Sequence, residues 1–340
     1  MFRPQFSRLL SSAAVREIQI EKMKSLIVIC TLFTIAMGCV AQTDKAAPVS
    51  AKNIANQNEW TVRGNIPPKK FIIQSHRGAG ELAPENTAEA FELAWKLGTV
   101  PEADLRTTKD GVIVTFHDAN FERVVKGASL ELQKKGVKDI TFAELLKLDV
   151  GSWKGKNFAG RRVSKLSDAL KLMTGKPERN MYLDIKNVDF KQLAQEVREH
   201  KVERQIILAS TKYEQIREFK SLVPEAQTLH WMGGTEEALQ ARLAALRAED
   251  FADITQLQLH VRMNTNNASA ETFNLSRNFI RSTGEELRQR KILFQSIPWG
   301  IAEPEVYWQL LDLGVMSFAT DFPDVTWKAV REYYDRKDKN

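Results

Sequence analysis

From Phe71 onward, short β-branched or aromatic runs alternate with longer amphipathic segments, and this alternation constrains the fold more than any other feature of the chain. The runs are FIIQS (71–75), VPEADLR (100–106), YLDIK (182–186), QIILAS (205–210), TLHWM (228–232), LQLHV (257–261), KILFQS (291–296) and MSFAT (316–320). Helix-length stretches such as 86–97, 190–200, 236–248 and 303–313 lie between most of them. Alternating strand and helix patterns imply a parallel sheet, and eight units imply a (β/α)8 TIM barrel, an α/β fold. A ninth run, VIVTFH (112–117), follows the turn signal Lys109-Asp110-Gly111 and is expected to extend the second unit as a hairpin arm. Residues 118–165 show no strand-helix unit apart from a helical 141–148, and read as an insertion after the second strand unit. Following a strand's C-terminal end, the insertion is placed over the face where barrel enzymes carry their chemistry.

The remainder of the chain reads as export and tether. Residues 23–38 have a lysine, an apolar run from Leu26 to Met37 and a small residue before Cys39, the layout of a signal peptide. The apolar run is shorter than the roughly 20 residues a spanning helix needs. Ala36-Met37-Gly38-Cys39 resembles a bacterial lipobox, which implies a membrane tether through a lipidated Cys39; ordinary cleavage after Ala41 fits the same residues. Either route gives an exported protein, periplasmic or on the outer surface. Residues 1–22 precede a natural-looking start at Met23 and read as an upstream extension, while 39–68, rich in Ala, Asn, Gln and Pro, read as a flexible tether ahead of a 69–335 barrel. Cys30 and Cys39 are the two cysteines, so the folded body holds no disulfide.

Charge argues against a nucleic-acid partner. The formal +6 includes five cations and two acids ahead of Cys39, so the exported part carries +3, and its Lys and Arg residues are interleaved with acids.

Chemistry concentrates at strand ends. His76 and Arg77 close the first run and precede Gly78, which is expected to let the backbone approach a bound group. Glu102, Asp104 and Arg106 alternate along the second run, so the two carboxylates share one face about 7 Å apart. Inward acids need a counter-charge, either a salt bridge from Arg106 or a hard divalent cation such as Ca²⁺ or Mg²⁺. Asp184 and Lys186 share one face of YLDIK, where the lysine suits either a buried ion pair or a phosphate oxygen. His117 closes VIVTFHD and pairs with His76 if both strand ends reach one rim, as acid-base catalysis of phosphodiester cleavage requires. Gln258, His260 and Arg262 alternate on one strand, and His230 and Trp231 sit on another; both sets fit a pocket or an outer polar face. His200, in a charged helix, reads as solvent-facing, and Trp299 as an apolar wall for substrate or as packing.

Four blocks in order, HRGAGELAPENTAEAF (76–91), EADLRTTKDGVIVTFHD (102–118), YLDIK and GVMSFATDFP (314–323), resemble the glycerophosphodiester phosphodiesterase family. The resemblance implies a metal-dependent TIM-barrel enzyme that hydrolyses small-molecule glycerophosphodiesters to glycerol phosphate and an alcohol. By position it implies His76 and His117 as the acid-base pair, Arg77 and Lys186 at the phosphate, and Glu102, Asp104 and Asp184 as metal ligands. Three departures stand out: Asp184 where the family usually has Glu, Ser164 where a proline often precedes the next helix, and Phe294–Trp299 in place of a Trp-Thr-Val-Asn run on the alcohol side. Three alternatives accompany this reading: a phospholipase or lysophospholipase D-like enzyme acting on lipids, an aldolase-type barrel with Lys186 as its Schiff-base lysine, and a non-catalytic surface-tethered binding lipoprotein.

Overall fold

The computed structural model describes residues 60–265 and 271–336. Residues 1–59, which include the expected signal peptide and Cys39, lie outside the described residues. Among those described, nine strands form one sheet: β1 (Ile72–Ser75), β2 (Val100–Thr107), β3 (Ile113–Thr115), β4 (Met181–Asn187), β5 (Ile206–Ser210), β6 (Gln227–Met232), β7 (Gln256–Val261), β8 (Leu293–Pro298) and β9 (Ser317–Thr320). Strand β1 pairs in parallel with both β9 and β2, which closes eight parallel strands into a barrel. Strand β3 runs antiparallel to β2, Leu105 opposite Thr115, and is the expected hairpin arm rather than a barrel strand.

A helix follows each barrel strand or its appended arm: α1 (Ala88–Lys96), α2 (Leu166–Lys171), α3 (Phe190–Glu199), α4 (Tyr213–Leu222), α5 (Glu236–Ala248), α6 (Arg277–Gln289), α7 (Pro304–Asp312) and α8 (Pro323–Asp335). Local chemistry sets their starts. Thr87, Asp189, Thr235 and Ser276 each accept a backbone N–H of the first turn, and proline opens α7 and α8, where a missing N–H costs nothing. The strands' period of two divides their residues. Ala103, Leu105, Leu183, Leu208, Leu257 and Phe294 face the helices and join Phe91, Phe219 and Leu287 in the main core.

The barrel interior is partly polar and its polar groups are paired. Tyr182 Oη donates to Gln256 Oε1 at 2.8 Å and accepts from Gln295 Nε2 at 3.3 Å; Gln295 also donates to Ser317 Oγ at 3.0 Å, and Gln258 donates to Gln295. With Ile207, Ala209 and Leu229 beside them, these side chains plug the barrel beneath the strand ends. A buried network with its donors and acceptors met is stiff, so the residues above stand on a rigid floor.

One boundary differs from the sequence reading. Residues 60–68 are packed, not free: Thr61 caps a short helix at Val62–Asn65, Val62 is fully buried, and Trp60 and Ile66 lie against the main core. Arg63 donates to the Arg336 carbonyl at 2.6 Å, and Tyr334 Oη to the Ile66 carbonyl at 2.6 Å, which ties this stretch to the end of α8. Val62 and Ile66, four apart, with Trp60 beside them, outweighed a tether-like composition here. The 118–165 insertion carries its own small core, with Phe121, Val125, Ile140, Leu145 and Val150 buried together, and short helices at Leu130–Lys134 and Phe142–Leu145. It returns to the barrel where Thr115 donates its N–H to the Ser164 carbonyl at 3.0 Å, which gives Ser164 a role in closing the insertion.

Candidate active site

The turn after β1 places the first set of groups. Arg77 has φ 53, a left-handed conformation that costs a non-glycine residue roughly 1 kcal/mol or more, and this turn aims its backbone N–H at Glu102 Oε2, 3.0 Å away. Gly78 serves packing rather than ligand approach: at φ 108, an added Cβ would lie 2.7 Å from the Ala90 Cβ at the start of α1. Gly80 allows a closer approach still, since a Cβ there would stand 2.1 Å from the Asp321 carbonyl oxygen. The loop after β1 and the end of β9 are thereby pressed together, with Glu81 N–H donating to the Asp321 carbonyl at 2.7 Å.

That approach brings Asp321 to His76. Its Oδ1 lies 2.6 Å from His76 Nδ1, and because an ionised carboxylate can only accept, Nδ1 is the protonated nitrogen and Nε2 is left toward the pocket, 3.9 Å from Glu102. Burial disfavours the charged imidazole, but Glu102 and the Asp321 bond outweigh it and the His76 pKa sits above its ordinary value. The second imidazole is built the same way. His117 Nδ1 lies 2.6 Å from Asp118 Oδ1, and its Nε2 lies 2.9 Å from Arg77 NH2. Burial works against ionised Asp118, but its bonds to His117 and Arg123 hold its pKa well below the carboxylate range. Arg123 also binds Glu85 through two nitrogens at 2.8 and 2.6 Å, which fixes the insertion to the loop after β1.

Between the imidazoles lies a carboxylate cluster. Glu102, Asp104 and Asp184 are buried and offer oxygens that all lie within 4.8 Å of one another. Asn86 donates Nδ2 to Asp104 Oδ2 at 2.7 Å and accepts the Asp104 N–H at 2.8 Å. Lys186 Nζ stands 3.1 Å from Asp104 Oδ1 and 2.5 Å from Asp184 Oδ2. Burial raises the Glu102 carboxyl despite the pull of His76, and raises Asp184 to about 6 despite Lys186. For Asp104, burial is outweighed by Lys186, His117 and Arg77, and its pKa falls to about 2. Lys186 is itself pushed up, burial being overcome by Asp104 and Asp184, and an amine held as ammonium is a poor Schiff-base nucleophile.

Of the two expected ways of neutralising the acids, the salt bridge from Arg106 is not formed; Arg106 donates Nε and NH2 to the His117 carbonyl at 3.1 and 2.7 Å and so holds the β3 end in place. Three buried acids therefore face Lys186 and, when protonated, His76. The excess negative charge and the all-oxygen donor set suit a hard divalent cation. A second cluster, Glu85, His117 and Asp118, has comparable spacing, but Arg77 and Arg123 already neutralise its acids.

The opposite wall is aromatic. Trp231 stacks on His260 with ring centres 5.0 Å apart and planes 7° apart, His260 meets Trp299 edge-on at 5.4 Å, and Trp299 meets His76 edge-on at 5.1 Å. Gln258, His260, Trp231 and Trp299 thus all line the cavity that holds His76, His117, Glu102, Asp184 and Lys186. Burial, with His76 and Arg262 nearby, lowers the His260 pKa to about 4, so this wall is uncharged at neutral pH. Arg262 is exposed, with its guanidinium 5.7 Å from the Trp299 ring. His230 faces away, toward the Ser210 carbonyl and Arg242, and His200 lies at the end of α3.

The eight residues given site roles from sequence, His76, Arg77, Glu102, Asp104, His117, Asp184, Lys186 and Trp299, come together here. Asp321, Asp118 and Asn86 were given no role, and Trp231 was read only as pocket or outer face; Asp321 and Asn86 lie inside motif blocks and Asp118 ends one, a signal that marks position without naming a partner.

Residues 76–325 match the profile of the glycerophosphoryl diester phosphodiesterase family. A glycerophosphodiester phosphodiesterase of Caldanaerobacter subterraneus subsp. tengcongensis is 27% identical over 272 residues, 77% of this chain and 99% of that protein. One from Bacillus subtilis is 26% identical over 327 residues, 90% of this chain and 98% of its own length. In fold, the chain resembles an Oleispira antarctica phosphodiesterase solved with the product sn-glycerol-3-phosphate, at a TM-score of 0.56 and 22% identity over 78% of this chain and 97% of that one.

Proposed function

The chain belongs to the glycerophosphoryl diester phosphodiesterase family, and on that premise we propose that it hydrolyses small glycerophosphodiesters to glycerol phosphate and an alcohol, with His76 and His117 as its acid-base pair. One observation carries the reading. Two imidazoles, each oriented through Nδ1 by its own carboxylate, open onto one cavity with a buried carboxylate cluster and a lysine. Cleavage of a phosphodiester needs a base to take a proton from the attacking oxygen and an acid to protonate the leaving alkoxide. Asp321 and Asp118 occupy Nδ1 of each ring and so leave Nε2 for those transfers; at His117 that atom accepts from Arg77 until the guanidinium turns to a bound phosphate.

Glu102, Asp104 and Asp184 would hold a divalent cation, Ca²⁺ or Mg²⁺, which when bound neutralises charge on the phosphoryl oxygens. Lys186 then no longer has to neutralise Asp104 and Asp184 alone and can meet a phosphate oxygen, with Arg77 as the second cation at the phosphate. Trp299, His260 and Trp231 form the wall against which the alcohol rests. The product bound in the Oleispira relative is the one this reaction would release.

Export belongs to the same proposal: residues 23–38 direct secretion, and Cys39 carries a lipid that tethers the enzyme outside the cytoplasm. Loss of membrane association in Cys39→Ser would support the tether.

A panel of glycerophosphocholine, glycerophosphoethanolamine, glycerophosphoinositol and lysolipids, each with Ca²⁺, Mg²⁺ or EDTA, tests the function. Glycerol phosphate release from the small diesters, lost in EDTA, is expected. Preference for lysolipids would replace the substrate assignment with a lipid one, and inactivity on every diester would favour a binding lipoprotein.

A further inference from the structure

Each carboxylate of the cluster is held from outside by an N–H group. Glu102 takes the Arg77 backbone N–H at 3.0 Å, and Asp104 takes the Asn86 amide at 2.7 Å. Asp184 takes the indole N–H of Trp231, at 3.1 Å to Oδ1. The third tether differs from the others. Arg77 and Asn86 belong to the loop after β1, whereas Trp231 is on β6, two strands from the carboxylate it holds, since β5 lies between β4 and β6. An aspartate has a short reach, so its oxygens stay with the cluster only if the side chain is turned toward it. The indole bond on Oδ1 leaves Oδ2 directed at Lys186, which also touches Asp104.

Trp231 is itself fixed. Its ring lies flat on His260, and His260 Nε2 is 3.1 Å from Gln258 Oε1, part of the network that plugs the barrel. The neutral state of His260 suits this stack, because a charged ring there would oppose the cation site. The indole is thus a rigid donor braced by the barrel floor, and its N–H is satisfied by Asp184.

We propose that Trp231 is a positioning residue for the divalent cation, acting through Asp184: its indole N–H fixes the carboxylate that the cation takes. This rests on the metal reading given above. Groups bonded to metal ligands in this way affect affinity by about 10–100-fold when removed.

Isothermal titration of EDTA-stripped protein with CaCl₂ and with MgCl₂ tests it, with thermal melts to verify folding. Trp231→Phe keeps a ring against His260 and removes the N–H; its cation affinity should fall about tenfold. Asp184→Glu carries its carboxylate one methylene further, past the indole, so adding Trp231→Phe to that background should cost less than about threefold. Trp231→His, which retains an N–H donor, should bind better than Trp231→Phe. An unchanged affinity in Trp231→Phe, or an equal loss in both backgrounds, overturns the inference while wild-type binding keeps the metal reading. No binding by the wild type overturns the metal reading, and this inference with it.

Discussion

Asp321, just past the last barrel strand, binds Nδ1 of His76, just past the first, at 2.6 Å, a contact made across 245 positions of sequence. Barrel closure through β1 and β9 makes the two residues neighbours, and Gly80 keeps them so. The pair fixes which His76 nitrogen carries the proton.

Asp321→Asn tests that role. The amide is isosteric but can present N–H to Nδ1, which would put the imidazole in the wrong tautomer. We expect kcat to fall by about 10²-fold or more with KM and melting temperature little changed. A loss confined to KM would place Asp321 in substrate binding instead.

His117→Ala should abolish release of glycerol phosphate and leave the fold intact. The side chain is only part-buried, so its removal opens no core cavity. Activity assays alongside circular dichroism melts check this, and residual activity within about tenfold of wild type would remove His117 from the acid-base pair.

The carboxylate cluster predicts opposite effects of one substitution. Burial raises the Glu102 carboxyl, so its charged form opposes folding when no cation is present. Glu102→Gln should therefore melt higher than wild type in EDTA. Wild type should gain roughly 5–10 °C at ~100-fold excess over the cation Kd, and the variant much less. Differential scanning fluorimetry with and without Ca²⁺ or Mg²⁺ separates the two.

Asp149 ties the insertion together. Its Oδ1 accepts from the backbone of Gly151 and Ser152 at 2.8 and 2.9 Å, and its Oδ2 from Ser152 Oγ and the Gly160 N–H at 2.8 and 2.6 Å. Burial opposes the charge, but these bonds depress the pKa, so the folded state binds fewer protons than the unfolded one in acid. The stabilisation is present above the unfolded pKa of about 4 and is lost as pH falls below it. Asp149→Asn should cost about 1 kcal/mol at pH 7 and progressively less toward pH 3, read from urea melts. A constant difference across that range would show that charge is not what holds the loop.

The strands were legible to within one or two residues from their β-branched and aromatic runs, and the period of two showed which residues share a face, though for Gln258 and His260 it left open whether that face was the inner one. The same alternation put Glu102 beside Asp104 and Asp184 beside Lys186, and strand ends marked His76 and His117. Sequence could not say what each inward group meets. Arg106 sits two residues from Asp104 yet binds the His117 carbonyl, because the β3 hairpin folds across its side chain. Gly78 looked like a ligand-facing glycine and is a seat for Ala90. Trp231 and Asp321 come from β6 and the end of β9, and only closure of the barrel brings them to Asp184 and His76. The order of strand and helix runs, a local property, was enough for the barrel; partners such as Asp321 and Trp231 needed the closed sheet, because contacts around it depend on the stagger between strands far apart in the chain.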